Sequence, residues 1–126
     1  MRFMTMVKSA EGMKFGPPPM ALFEAIGKLG ADASKAGVFV EMGGLLPSDA
    51  GARVTLRNDT INVIDGPFTE AKEVIGGYAV YEVTSKAEAI EWSKRFLELH
   101  RRHWPGWEGE VELRQIMGQG EMPPAR

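Results

Sequence analysis

The run Val-Ile-Gly-Gly-Tyr-Ala-Val-Tyr-Glu-Val at residues 74–83 limits the folds open to this chain more than any other segment. β-Branched and aromatic residues dominate it, and such residues suit a pleated, packed surface. With strict alternation, Ile75, Ala79, Tyr81 and Val83 point to one side of the strand, and Tyr78 and Val80 to the other. A strand that is apolar on both sides belongs in a sheet covered on both sides. The first strand repeats the pattern, with Phe3, Thr5 and Val7 set against Met4 and Met6. Gly76 and Gly77 interrupt the stronger strand, and glycine there signals a bulge or a close backbone approach.

Two amphipathic helices accompany the strands. Over residues 20–36, Leu22, Ala25, Ile26, Leu29, Ala33 and Ala36 recur at three- and four-residue steps, while Glu24, Lys28, Ala31 and Lys35 hold the opposite face. Pro17-Pro18-Pro19 suits the start of this helix, and Gly37 suits a left-handed C-terminal cap. The second helix begins at Thr84 or Ser85, with Ser85 and Glu88 at capping-box spacing, and stops at Pro105-Gly106. Its buried side carries Ala89, Ile90, Ser93, Phe96, Leu97 and His100. Residues 38–42, 53–57, 60–64 and 111–117 supply the remaining strands, and Asn58-Asp59 fits the tight turn of a hairpin.

The order strand, helix, strand, hairpin, strand, helix, strand predicts an α+β fold. It is a ferredoxin-like βαββαβ arrangement with an inserted β-hairpin, in which an antiparallel sheet carries two helices on one face. The helices cover one side only, and the remaining apolar side exceeds what a monomer leaves in water. A homodimer formed through the open sheet face would bury it. The other solution folds loops 43–52 and 104–110 across it.

Length and composition fit one domain over residues 1–126, since 44% of the 126 residues are hydrophobic and 25% charged. Residues 118–126, with two prolines, read as a flexible C-terminal tail. The chain has no cysteine, which excludes a disulfide scaffold and any thiolate chemistry. A net charge of −2 offers no field for phosphates, so nucleic acid is not an expected partner. Neither a signal peptide nor a membrane span is readable, and the expected location is cytoplasmic, away from membranes. There is no Walker loop, Rossmann glycine pattern, serine elbow or His-Glu-x-x-His, so no cofactor is expected.

Unusual residue types crowd together in Asp65-Gly66-Pro67-Phe68-Thr69-Glu70-Ala71-Lys72-Glu73, followed by Gly76-Gly77-Tyr78. Asp65 ends a strand, Gly66 frees the backbone and Pro67 fixes the next angle, so the acid sits on a stiff turn. It can serve there as a general base or ligand anchor, or it can accept N–H groups of its own turn. Candidate ligand contacts are Arg57, Phe68, Lys72 and Tyr78. Arg57 shares a hairpin face with Arg53 and can grip a carboxylate or phosphate, or simply lie in solvent. Lys72 can steer an anion toward Asp65, or belong to a solvated charged turn in which Glu70 and Glu73 share a helical face. The Tyr78 hydroxyl can line a pocket, or its ring can pack at a dimer face.

His100 and His103 stand three apart on the second helix, a spacing open to a metal, to haem ligation or to plain helix-terminal packing. Trp104-Pro105-Gly106-Trp107 can cover a pocket or close an edge of the core.

The nine-residue run with its trailing Gly-Gly-Tyr resembles the signature of the YCII-related family, in particular its DGPF-motif branch. The resemblance implies a dimeric α+β barrel, a bacterial source, and a family thought to be enzymatic, with related domains beside sigma-factor proteins of the extracytoplasmic-function type. Some members resemble a His-Asp dyad enzyme with an early histidine. Here no histidine precedes His100, and Glu41 is the one titratable group of residues 38–44. The expected function is therefore binding of a small anionic or aromatic metabolite, with lyase- or isomerase-type proton transfer centred on Asp65 and helped by Lys72 or Arg57. The alternative is a non-catalytic sensing or interaction module linked to sigma-factor regulation.

Overall fold

The computed structural model describes residues 1–11, 15–118 and 120. Six strands and two helices follow in the order β1 (Arg2–Ser9), α1 (Met20–Lys35), β2 (Phe39–Gly44), β3 (Ala52–Arg57), β4 (Thr60–Asp65), β5 (Val74–Glu82), α2 (Lys86–His103) and β6 (Glu110–Gln115). Four of the strands form one sheet in the order β2-β5-β1-β6, antiparallel throughout. β3 and β4 form a separate two-stranded ribbon. The fold is the expected α+β, ferredoxin-like arrangement with its hairpin inserted between β2 and β5. Of the expected tail at 118–126, most positions lie outside the described residues.

Local signals in the chain account for the element ends. Gly37 caps α1 with φ +75°, its N–H donating to the Ser34 carbonyl at 3.1 Å. Ser85 caps α2 by accepting from the Glu88 N–H at 3.1 Å. The Glu88 carboxylate reaches back one residue beyond a capping box, to the Thr84 N–H at 3.1 Å and the Thr84 hydroxyl at 2.7 Å. Asn58 and Asp59 both take positive φ, +51° and +62°, the backbone a two-residue hairpin turn needs to match strand twist.

The core lies between the two helices and one side of the sheet. Phe3, Ala79, Tyr81 and Val83 from the strands meet Leu29 and Ala33 of α1 and Ala89 and Trp92 of α2. Tyr81 and Trp92 stack with ring centroids 5.9 Å apart. The one polar core residue of β1, Thr5, donates its hydroxyl to the Ala79 carbonyl at 3.1 Å, so its burial leaves no orphan.

Strict alternation fails at one point of β5. Val7 pairs with Gly77 but Lys8 with Ile75, so Gly76 is the extra residue of a bulge. The bulge turns Ile75 away from the helices and leaves it 43% exposed, where alternation had set it beside Ala79 and Tyr81.

The second face of the sheet is less apolar than the strand pattern suggested. Met4, Met6, Tyr78 and Val80 form a central stripe, as the pairs Met4↔Val80 and Met6↔Tyr78 show. Charged pairs frame it: Arg2 with Glu82 at 3.1 Å and Lys8 with Glu112 at 3.3 Å. Neither helix covers this face. The 104–107 stretch packs instead on α2, with the Trp107 ring 4.4 Å and the Trp104 ring 6.4 Å from His100.

Candidate functional site

The turn after β4 is built against a segment the sequence shows only as loop. Residues Ser48–Ala50 form a single 3₁₀ turn, and Gly66 lies so close to it that a Cβ there would sit 1.6 Å from the Ser48 carbonyl oxygen. The Gly66 N–H donates to the Gly51 carbonyl at 2.9 Å, and the Phe68 N–H to the Ser48 hydroxyl at 2.9 Å. Both the N–H and the hydroxyl of Ser48 donate to the Glu11 carboxylate. Those two bonds, the hydroxyl first, hold Glu11 below the usual carboxylate range. The Gly66–Pro67 peptide is cis. Arg53 of β3 closes the other flank, its guanidinium 4.0 Å over the Phe68 ring and paired with Glu70.

Asp65 sits at the edge of this knot and takes no part in it. Its carboxylate is exposed and makes no hydrogen bond among the described residues. The amides of its own turn, which an aspartate commonly recruits, go to Gly51 and Ser48 instead.

The other candidates are dispersed. Arg57 pairs with Thr60 at the ribbon tip while Asp65 pairs with Ala52 at its base, roughly 17 Å apart along the ladder. Lys72 lines a cavity of about 260 Å³ with Glu73, Glu108, Glu110 and Phe15, and Asp65 is not in its wall. The Trp104 indole N–H donates to the Phe15 carbonyl at 2.9 Å at that same margin. Residues 69–70 form a simple turn and not a helical one, so Glu70 and Glu73 share no face. Within one chain, then, Arg57 does not stand beside Asp65, and Lys72 lines a cavity that Asp65 does not.

Tyr78 lies on the open sheet face, where its hydroxyl donates to the Glu41 carboxylate. That bond, followed by partial desolvation, pushes the Tyr78 phenol up from its ordinary value. Gly43 opposite makes room for the ring, since a Cβ there would come within 3.0 Å of the Tyr78 Cε1. The sequence marked Glu41 and Tyr78 separately; their pairing comes from the β2–β5 register.

The histidines are parted by the helix. His100 is buried, its Nδ1 3.0 Å from the Phe96 carbonyl, and desolvation pushes its imidazole below the usual range. His103 lies in a groove of about 350 Å³ between α1 and α2, with Lys28, Asp32, Arg95, Glu98 and Arg102. No group of three His, Cys, Asp or Glu placed to hold a metal exists among the described residues. None of their helices is long and apolar enough to cross a membrane.

Two residues of the site had no readable signal. Ser48 and Glu11 are ordinary loop residues, and their partners are 20 and 37 positions away. No curated protein matches the chain. The family model of the YCII-related domain does, over residues 1–97, a stretch that holds Glu11, Glu41, Ser48, the 65–73 turn and Tyr78, and the chain belongs to the YCII-related family.

Proposed function

We propose that this chain is a cytoplasmic homodimer of the DGPF-motif branch that binds a small anionic or aromatic metabolite and catalyses proton transfer of lyase or isomerase type, with Asp65 as the base. The observation that carries the reading is the free carboxylate of Asp65 beside a turn whose amides are already occupied. A structural aspartate would accept those amides; this one keeps its oxygens for a ligand. The dimer joins the open faces of two sheets. That covers Met4, Met6, Ile75 and Tyr78 and brings a Tyr78–Glu41 pair from each copy into the space between them. Phe68 and Tyr78 supply aromatic contacts, and Lys72 and Arg57 supply positive charge at the margins.

Two measurements test it. A thermal-shift screen of small carboxylates and aromatic acids should yield a ligand that raises the melting temperature by mass action. Asp65→Asn should then lose that shift or the associated turnover while its own melting temperature stays within about 2 °C of the parent, because no bond is broken. A drop of ~8 °C or more in Asp65→Asn alone would expose a structural residue and end the reading. A hit that Asp65→Asn binds and turns over unchanged would do the same.

A further inference from the structure

The β3–β4 ribbon pairs with no strand of the main sheet. Its opposed pairs Val54↔Val63 and Leu56↔Ile61 lie on one face, and all four side chains are 66–70% exposed. The other face carries Arg53, Thr55 and Arg57 against Ile64, Asn62 and Thr60. Arg53 turns back onto Phe68 and Glu70, which anchors the polar face to the body and directs the apolar face away from it. A lone two-stranded ribbon is marginal in water without cover.

We propose that this ribbon is an arm whose apolar face packs on a second copy of the chain, continuous with the open-sheet contact; the inference rests on the dimer reading above for its two-fold partner. Area selects a second copy. The four arm side chains expose on the order of 400 Å², as much as the largest patch of an ordinary monomer. On the open sheet face Met4, Met6 and Tyr78 are half-exposed and Ile75 is 43% exposed, a second apolar surface on the same molecule. A two-fold contact gives each arm to the other copy, so each partner buries its own arm face and a similar area that receives the partner's arm, about 800 Å² together, the extent of a stable interface.

Charge agrees with area. The net charge is −2, so two copies repel little. The apolar arm face holds no Lys, Trp or Tyr, the groups a lipid surface recruits. Asp65 stands at the base of this same face, in line with Ile61 and Val63. The copy that covers the arm therefore also closes over Asp65, and the site is incomplete in one chain.

Three variants in analytical ultracentrifugation test this: Ile61→Glu on the apolar arm face, Asn62→Glu on its polar face, and Met6→Glu on the open sheet. Ile61→Glu should weaken the dimer at least ~30-fold, the loss expected at a buried hot spot. Asn62→Glu should stay within about threefold of the parent. An Ile61→Glu protein that dimerises like the parent overturns the arm. If Met6→Glu then dissociates, the open-sheet dimer stands without it. A parent that is monomeric at about 100 μM removes the dimer reading itself. Should Ile61→Glu misfold, hydrogen exchange of the parent decides: arm amides protected at high concentration and released on dilution support the arm. Amides that exchange freely at every concentration overturn it, as would co-sedimentation of the parent with lipid vesicles.

Discussion

Gly66→Ala is the sharpest perturbation of the turn that bears Asp65. An added Cβ would lie 1.6 Å from the Ser48 carbonyl oxygen, 2.6 Å from its carbon and 3.2 Å from the Asp49 Cα. All three are backbone atoms, so no rotamer change relieves the clash, and the two segments must part by roughly 1.5–2 Å to restore van der Waals contact. Parting breaks the Gly66 bond to Gly51 and the Phe68 bond to Ser48, each worth about 0.5–1.5 kcal/mol net. It also withdraws Phe68 from Arg53, a partly exposed contact worth ~0.5–1 kcal/mol. The expected loss is about 1.5–4 kcal/mol, or roughly 6–16 °C in melting temperature for a chain of this size. Urea unfolding followed by tryptophan fluorescence measures it. Gly51→Ala is the control, because a Cβ there meets Ser48 O at 3.6 Å and Phe68 Cζ at 3.9 Å, ordinary contacts. A Gly66→Ala protein within about 0.5 kcal/mol of the parent would refute the packing of this turn on residues 48–51.

Ser85→Ala removes the acceptor for the Glu88 N–H at the start of α2 and should cost about 1 kcal/mol in the same assay; no measurable loss would mean that the Glu88–Thr84 bonds alone hold that helix end. Acid should weaken the protein through His100. Desolvation lowers its pKa in the folded state, opposed in part by the Phe96 carbonyl. The unfolded chain therefore binds the proton first, and stability falls as pH drops from about 6.5 toward the lower folded value, and is flat above about 7.5. Equilibrium unfolding at pH 7.5, 6.5 and 5.5, compared with His100→Phe, isolates this contribution; an unchanged slope in His100→Phe would assign it elsewhere.

Element types were legible because each rests on neighbours in sequence. The three- and four-residue steps of Leu22, Ile26, Leu29 and Ala33 made α1, and Asn58-Asp59 made the ribbon turn, whatever lay across the fold. Gly76 and Gly77 signalled a bulge or a close backbone approach, but not that a bulge would carry Ile75 to the opposite face. The unusual composition of residues 65–73 marked them out. Their anchors at Glu11 and Ser48 carried no mark, since a serine in a loop looks the same whether it caps nothing or holds a turn 20 residues on; Arg53 was marked as an anion contact, and its partners proved to be Phe68 and Glu70.

Local chemistry thus determined the helices, the strands, the hairpin and the family signature, all of which depend on spacings of a few residues. Tertiary structure decided which sheet face stays open, that Tyr78 meets Glu41, that the ribbon stands off the sheet, and that Asp65 keeps its oxygens while neighbouring amides are taken. The division has a physical cause. Helix and turn propensities are set within the span of one hydrogen-bonded ring, whereas register, bulges and hydrogen bonds between distant segments are settled only when those segments compete for the same donors and the same space.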